Sequence, residues 1–324
     1  MDVLEQYCLA VLGDARAEDD TASQQPRFFA SQPLSCGPGL GDGTEDPALF
    51  IEHDTSPRKH DPSPCATALE TIAFICNKGG TGKTTACVNI AGWLGKMGKR
   101  VLVIDLDPQG SATQALGLKP ETIHYGVADA LLGLATINST IYDTPCGIQL
   151  IPAQPDLLLA ERKLIFSGRS SAILGPLIAS LTTEYDHILV DAPAGHGLLT
   201  LNAVTACSRL VLPLDASSFS ANSSELLLEM FEQIETMLGR RLEIHALLLR
   251  DYAGNRLARK LQQPRQHYQR LLARYQLADT AIHSIPYSAI CDRAATQGMP
   301  LSDYAPLDRL SQAYRKVAHA INAI

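Results

Sequence analysis

Residues 71–85 read Thr-Ile-Ala-Phe-Ile-Cys-Asn-Lys-Gly-Gly-Thr-Gly-Lys-Thr-Thr, and this stretch decides the fold. Its first six residues form a largely apolar run that predicts a buried β-strand. Apolar residues then recur at helical spacing from Val88 to Met97, which predicts a helix after the loop. The glycines between the two let backbone N–H groups turn inward around phosphate oxygens, and the helix N-terminus adds partial positive charge. The stretch therefore predicts a strand–loop–helix unit that binds phosphate.

The triplet Gly-Lys-Thr assigns roles to individual residues of this loop. We expect the Lys83 ammonium to reach the β- and γ-phosphates of a nucleotide and the Thr84 hydroxyl to ligate Mg²⁺. The alternative is a glycine-rich turn that binds nothing, and the position of the triplet between strand and helix argues against it. The predicted nucleotide-binding residues are Lys78, Gly79, Gly80, Thr81, Gly82, Lys83, Thr84 and Thr85.

Two later segments each end an apolar run in a carboxylate. Residues 101–104 precede Asp105 and Asp107, and residues 188–190 precede Asp191. Open α/β sheets bind ligands at the carboxyl ends of their strands, so we expect these three side chains near the nucleotide. Asp191 is the predicted carboxylate that holds Mg²⁺, mainly through the water shell of the ion.

A second lysine, Lys78, stands at the first position of the loop, where the general P-loop pattern has glycine. With the carboxylate segments at 100–113 and 187–195, the loop resembles the deviant Walker A motif of the ParA/MinD family of P-loop ATPases. The resemblance implies hydrolysis of ATP with Mg²⁺ as cofactor. It also implies that two subunits form a homodimer and that Lys78 reaches across the interface to the nucleotide of the partner.

The same resemblance implies roles for the other polar residues. Lys78, Lys83 and Asp107 are expected to be catalytic, with Asp107 orienting the attacking water. Asp105 is expected to support Mg²⁺ and the geometry of its loop. The predicted metal-site residues are Thr84, Asp105 and Asp191.

Downstream segments resemble the ParA branch in particular, and the resemblance covers residues 71–324. They are Pro-Leu-Asp-Ala-Ser-Ser-Phe-Ser at 213–220, Ile-Pro-Tyr at 285–287 and Gly-Met-Pro at 298–300. The branch carries basic DNA-contacting residues near the last of these. Here its common arginine position holds Ile290, and the nearest arginine is Arg293.

A basic stretch between Arg240 and Tyr275 is the other candidate for DNA contact, with nine Arg or Lys residues against two acids. Such a patch can neutralise phosphates without reading base sequence. An ordinary solvated helix face is the alternative. The candidate DNA-binding residues are Arg256, Arg259, Lys260, Arg265, Arg270 and Arg293.

The N-terminal residues 1–70 differ in composition from the rest of the chain. They hold 13 Asp or Glu residues, four Lys or Arg residues and seven prolines, and no apolar periodicity survives between Asp14 and Thr67. We expect a disordered acidic tail, with a short helix possible at residues 2–12. The remaining residues, 71–324, carry 23 basic against 21 acidic side chains and are predicted to form the ATPase domain.

Strand and helix patterns alternate through residues 71–324. Further strands are expected at 149–151, 209–214, 244–249 and 281–285, with helices at 223–238 and 307–323. This alternation predicts an α/β fold with a doubly wound, mostly parallel sheet flanked by helices.

The cysteines and the hydropathy exclude several classes of protein. Eight cysteines are scattered without Cys-x-x-Cys spacing, which predicts a reduced protein without structural zinc or an iron–sulfur cluster. No apolar run approaches the ~20 residues that a membrane helix needs.

Two functions remain in view. The first is a partitioning ATPase of a plasmid, a chromosome or another cargo, cytoplasmic and associated with the nucleoid. It would dimerise on ATP, bind DNA nonspecifically and be released when a ParB-like or other cargo adaptor stimulates hydrolysis. The second is a MinD-type regulator that cycles on a membrane. The weakly basic segment 316–324 (Lys-Val-Ala-His-Ala-Ile-Asn-Ala-Ile) counts against the second, so no membrane partner is expected.

Overall fold

The computed structural model describes residues 69–76, 78–168, 172–195, 197–215, 221–251, 273–276 and 281–323. The tail predicted at 1–70 lies almost wholly outside these residues, so its predicted disorder and its boundary stay predictions. Five of the candidate DNA-binding residues also lie outside them: Arg256, Arg259, Lys260, Arg265 and Arg270.

The described residues contain a mostly parallel sheet whose strands lie in the order β3-β4-β2-β5-β1-β6-β7-β8. All neighbours are parallel except β3 and β4 at one edge. The strands are β1 (Glu70–Phe74), β2 (Val101–Asp105), β3 (Tyr142–Asp143), β4 (Gln149–Ile151), β5 (His187–Asp191), β6 (Arg209–Asp215), β7 (Ile244–Asp251) and β8 (Ile282–Pro286). The predicted fold class and the four additional predicted strands are confirmed.

Helices cover both faces of this sheet. They are α1 (Lys83–Lys96), α2 (Ser111–Ala115), α3 (Val127–Leu132), α4 (Leu157–Phe166), α5 (Leu174–Ala179), α6 (Leu198–Ala206), α7 (Ala221–Leu238), α8 (Ile290–Thr296), α9 (Leu301–Tyr304) and α10 (Arg309–Asn322). Helix α10 begins two residues later than its pattern predicts, because the Asp308 side chain accepts a hydrogen bond from the Leu310 amide (2.8 Å) and caps the helix there.

Each face of the sheet has its own apolar core. Ile72 and Phe74 of β1 face the core formed with α1, α2, α8, α9 and α10. Ala73, the residue between them, faces the core formed with α3 to α7. Alternate residues of a strand point to opposite faces, and a parallel sheet covered on both faces is apolar throughout.

The strand register brings the functional segments together at the carboxyl ends of the central strands. Strand β5 lies between β2 and β1, and Asp191 at its end pairs in register with Asp105 on one side and Phe74 on the other. The loop that follows Phe74 is the predicted phosphate-binding loop. Among the helices that the structure describes, none has the length and apolarity to cross a membrane.

Candidate functional site

The predicted phosphate-binding loop has the backbone that its glycines allow. Gly80 and Gly82 have φ angles of 79° and 92°, in the region that favours glycine. Helix α1 begins at Lys83, directly after Gly82, so the loop leads into a helix N-terminus as predicted. Lys83 is only 7% exposed, whereas Lys78 is exposed. The two lysines of the loop therefore occupy opposite environments.

Cys76, a residue that was not predicted to belong to the site, holds this loop through two hydrogen bonds. The Thr81 hydroxyl donates to the Cys76 thiol sulfur (3.0 Å), and that thiol donates to the Lys78 carbonyl (2.7 Å). The hydroxyl of Thr81 is thus engaged inside the loop. The contact joins the last apolar residue before the loop to both ends of the turn.

Asp105 is buried and fully engaged by its own segment. Its Oδ2 accepts hydrogen bonds from the Thr113 amide (2.8 Å) and hydroxyl (2.7 Å), and its Oδ1 accepts from the Asp107 amide (3.2 Å). Burial raises the pKa of Asp105 to about 6, and these hydrogen bonds oppose the rise. This arrangement supports the expected role in loop geometry. A direct contact of Asp105 with the metal stays a prediction.

Asp107 lies at the start of a tight turn and is only half-buried. Its Oδ1 accepts from the Gln109 amide (3.0 Å), and its carbonyl accepts from the Gly110 amide (2.9 Å). The partial exposure of Asp107 leaves it accessible to solvent, as the expected role in orienting a water molecule requires.

Asp191 is completely buried, yet neither of its carboxylate oxygens has a hydrogen bond of standard geometry. Burial, and then the nearby Asp105 charge, raise the pKa of Asp191 to about 8, while the Thr84 hydroxyl and the Lys83 ammonium oppose that rise. An unsatisfied buried carboxylate is costly, and a cation satisfies it. The residues present therefore fit a metal ion beside the loop.

The nature of the donors indicates which metal fits. No cluster of three or more His, Cys, Asp or Glu side chains that could hold a metal occurs in the described ranges. Mg²⁺ does not need such a cage, because it usually binds through one or two carboxylates together with waters and substrate phosphates. Asp191 and Thr84 can supply the protein oxygens of such a site.

A small crevice lies beside the loop. Gly82 and Thr85 form one side of it, and the segment 285–288 forms another. The remaining lining residues are Cys291, Leu310 and Tyr314. The sequence analysis did not assign these three, because α8 and α10 lie some two hundred residues after the loop and no motif marks them.

Of the six candidate DNA-binding residues, Arg293 lies in the part of the chain that the structure describes. Arg293 is exposed on α8. Arg274 lies within the predicted basic stretch, but its guanidinium contacts Glu232 (2.8 Å) and Glu235 (2.7 Å) of α7. These acids neutralise its charge, so Arg274, which is not one of the listed candidates, adds little to the basic stretch.

This parallel sheet, with a glycine-rich loop at the start of α1 and a buried carboxylate at the end of the adjacent strand, defines a P-loop nucleoside triphosphatase. Comparison with known proteins identifies the family within this class. Residues 69–244 match the family model described as an AAA domain. The chromosome-partitioning ATPase Soj of Treponema pallidum is 31% identical over 257 residues, which are 78% of this chain and 97% of that protein.

Solved structures agree with this assignment. Cobyrinic acid a,c-diamide synthase from Mycobacterium smegmatis, with bound ATP analog and magnesium, is 27% identical with a TM-score of 0.63, covering 79% of this chain and 95% of that one. The septum site-determining protein MinD from Pyrococcus horikoshii, complexed with Mg-ADP, shares the fold at 22% identity and a TM-score of 0.62, covering 79% and 96%. The chain belongs to the ParA/MinD family of P-loop ATPases. It is an ATPase, and ATP and Mg²⁺ are its cofactors.

Proposed function

We propose that this chain is a partitioning ATPase that dimerises on ATP, binds DNA without sequence preference and leaves DNA when a partner stimulates hydrolysis. The observation that carries the ATPase part is the buried carboxylate of Asp191, which has no hydrogen bond of standard geometry and interacts with Lys83 and Thr84. The partitioning role is supported by the relationship to Soj.

The catalytic roles follow from the surroundings of each residue. Lys83, buried at the start of α1, balances the charge of the β- and γ-phosphates. Asp191 and Thr84 hold the metal ion. Bound Mg²⁺ neutralises the charge that develops on the phosphates. Asp107 orients the attacking water, while Asp105 fixes the segment that carries Asp107 through their backbone hydrogen bond.

Dimerisation is supported by the exposure of Lys78. Its carbonyl accepts a hydrogen bond from the Cys76 thiol, which restrains the backbone, while the residue is exposed to solvent. When two copies meet face to face at the carboxyl ends of their strands, each Lys78 can reach the phosphates of the partner's nucleotide. ATP then bridges the two subunits, and hydrolysis weakens the bridge.

DNA binding is assigned to basic side chains outside the nucleotide site. Arg293 is exposed on α8, and the other candidates are Arg256, Arg259, Lys260, Arg265 and Arg270. Dimerisation places two such surfaces on one particle, so avidity makes binding depend on ATP. The partners proposed are nonspecific DNA and a ParB-like or other cargo adaptor, and the place of action is the nucleoid in the cytoplasm. The cargo is a plasmid, a chromosome or another assembly.

The MinD-type alternative requires a C-terminal helix with a free apolar face. Helix α10 uses that face in the core: Leu310, Tyr314, Val317 and Ile321 are buried in the cluster that includes α1. Helix α10 therefore offers no free apolar face of this kind to a membrane.

Co-sedimentation tests the proposal. The protein is incubated with ATP and Mg²⁺ and either plasmid DNA or anionic liposomes, with Lys83→Ala as the variant whose nucleotide binding is expected to be weakened. We expect ATP-dependent sedimentation with DNA, none with liposomes, and slow ATP hydrolysis by the wild type. Sedimentation with liposomes alone would establish the MinD-type alternative, and absence of any ATP hydrolysis would overturn the proposal at its base.

A further inference from the structure

Residues 192–195, which follow Asp191 toward helix α6, are hydrogen-bonded to the last residue of strand β1 and to Cys76. The Ala192 amide donates to the Phe74 carbonyl (3.3 Å), and the Gly195 amide donates to the Cys76 carbonyl (3.2 Å). These acceptors immediately precede the phosphate-binding loop. The metal carboxylate and that loop therefore share a common backbone support on one side.

The start of helix α6 is held by a residue from a different helix. Glu161 of α4 accepts a hydrogen bond at its Oε1 from the Leu199 amide in the first turn of α6 (3.3 Å). Gly197 precedes this helix and has no side chain to cap it. Glu161 thus supplies, from 38 residues away, the acceptor that an N-cap residue ordinarily supplies. Its negative charge also lies at the positive end of the helix dipole.

The glycine at position 197 is explained by this contact. Its φ angle of −67° is one that any residue adopts, so the backbone conformation does not call for glycine. A Cβ atom at this position, however, would lie 2.9 Å from the Glu161 Oε1 atom. Glycine therefore leaves the space through which the carboxylate reaches the helix end.

The rest of α6 has anchors of its own. The Asn202 Oδ1 atom accepts from the Ile173 and Leu174 amides (2.8 and 3.1 Å), and Leu199, Ala203 and Val204 are buried in the core. Losing the Glu161 contact therefore removes the acceptor of the Leu199 amide at the start of α6, and the helix stays packed.

We infer that Glu161 is a positioning residue for ATP hydrolysis: it holds the first turn of α6, to which the residues that follow Asp191 lead. Glu161 contacts neither of the two lysines nor any carboxylate of the site in the described contacts, so it acts through those residues. This inference rests on the proposed function. It adds that a residue of α4, Glu161, influences ATP turnover through the residues that follow Asp191.

The first test separates turnover from binding. Glu161→Ala is expected to lower ATP turnover by about 10-fold, the scale seen when residues that orient metal ligands are removed. Equilibrium binding of a fluorescent ATP analogue and the melting temperature should change little. Glu161→Gln keeps an acceptor oxygen and should restore most of the turnover. Glu184→Ala removes an exposed carboxylate paired with Arg100 and serves as the control.

The second test is a double-mutant cycle. Gly197→Ala pushes the carboxylate away without changing charge, so it should lower turnover in the wild type and add nothing in the Glu161→Ala background. Gly95→Ala is the control, since a Cβ atom there meets only Ile148 at an ordinary 3.7 Å. Hydrogen exchange should show faster exchange of the Leu199 amide in Glu161→Ala than in Glu161→Gln.

The outcomes are distinguishable from failure of the ATPase proposal. A wild type without turnover overturns that proposal. An active wild type with equally active Glu161→Ala, additive effects in the cycle, or a loss of turnover that merely parallels a loss of melting temperature, overturns the inference about Glu161.

Discussion

Asp105 and Asp191 lie opposite each other in the register of β2 and β5, but only one of them is satisfied by the protein. Asp105 accepts three hydrogen bonds from Thr113 and Asp107, whereas Asp191 accepts none of standard geometry. The two carboxylates are coupled, because the charge of Asp105 contributes to the raised pKa of Asp191. The site is thus built around one carboxylate that needs a cation and one that organises its own loop.

Replacing Asp191 should separate stability from function. The folded-state pKa of about 8 lies above the ordinary value of 3.8, so ionising Asp191 destabilises the fold increasingly as pH rises through this window. Asp191→Asn should therefore stabilise the nucleotide-free protein at pH 8 by about 1–3 kcal/mol, the cost of an unsatisfied buried group, and should abolish Mg²⁺-dependent turnover. Thermal unfolding at pH 6 and pH 8 checks this. A stabilisation that does not grow with pH would contradict it.

Removing Lys83 should weaken ATP binding by about 100-fold, because a hydrogen bond to a charged group contributes about 1.5–3 kcal/mol. Equilibrium titration with a fluorescent ATP analogue measures the affinity of Lys83→Ala, with the exposed Lys119→Ala as the control. Unchanged affinity of Lys83→Ala would refute the assignment of this loop.

Removing the Lys78 side chain should leave nucleotide binding by the monomer intact, since Lys78 is exposed in the isolated chain. Lys78→Ala should lose ATP-dependent dimerisation and the hydrolysis that depends on it. Size-exclusion chromatography with light scattering in ATP measures the mass. A mutant that dimerises as the wild type does would show that Lys78 is an ordinary surface residue.

Three histidines near the opposite ends of the strands should make the fold sensitive to acid. Burial, and then the charges of Arg209 and His283, lower the pKa of His245 to about 4, and burial also lowers the pKa values of His187 and His283. The unfolded chain binds protons near pH 6.5, so the stability that these neutral side chains provide is lost as pH falls from about 6.5 toward 4.

Urea unfolding at pH 7, 6 and 5 measures this loss. His245→Gln should flatten the dependence of the unfolding free energy on pH, while His319→Gln, at an exposed position, should leave it unchanged. Equal slopes for His245→Gln and the wild type would contradict the prediction.

Reversing charge in the basic stretch should weaken DNA binding alone. Replacing Arg256, Arg259 and Lys260 with Glu should lower the affinity for any duplex and leave basal ATP turnover unchanged. In the wild type the slope of log affinity against log salt should be about −0.9 per phosphate neutralised. The control reverses three exposed charges elsewhere, at Lys119, Arg162 and Lys163. A triple variant that binds DNA as tightly as the wild type would leave Arg293 as the candidate.

Removing residues 1–66 tests the acidic tail. Because its charge opposes that of DNA, the truncated protein should bind DNA modestly more tightly at low salt, and the difference should fade as salt screens the charges. Filter binding at two salt concentrations measures both effects. Weaker binding after truncation would show instead that the tail contributes to the DNA-bound state.

The part of the site that the sequence predicts is local in the chain. The glycines of the loop, the first residue of α1, and the carboxylates that end β2 and β5 are all set by neighbours within a few residues. Local apolar patterns also predicted the strand at 149–151 and the helix at 223–238, found at Gln149–Ile151 and Ala221–Leu238. Backbone preference and apolar periodicity act over such short distances, which is why these features could be inferred without coordinates.

Contacts between distant segments were decided only by the tertiary structure. The order of the strands places Asp105 beside Asp191, and the packing of α4 on α6 brings Glu161 to Leu199. Leu310 and Tyr314 reach the crevice beside Gly82 because α10 packs on α1. Arg274 is withdrawn from the basic stretch by Glu232 and Glu235 for the same kind of reason. Such pairings depend on how helices and strands pack in three dimensions, and the periodicity of any single segment carries no information about its distant neighbours.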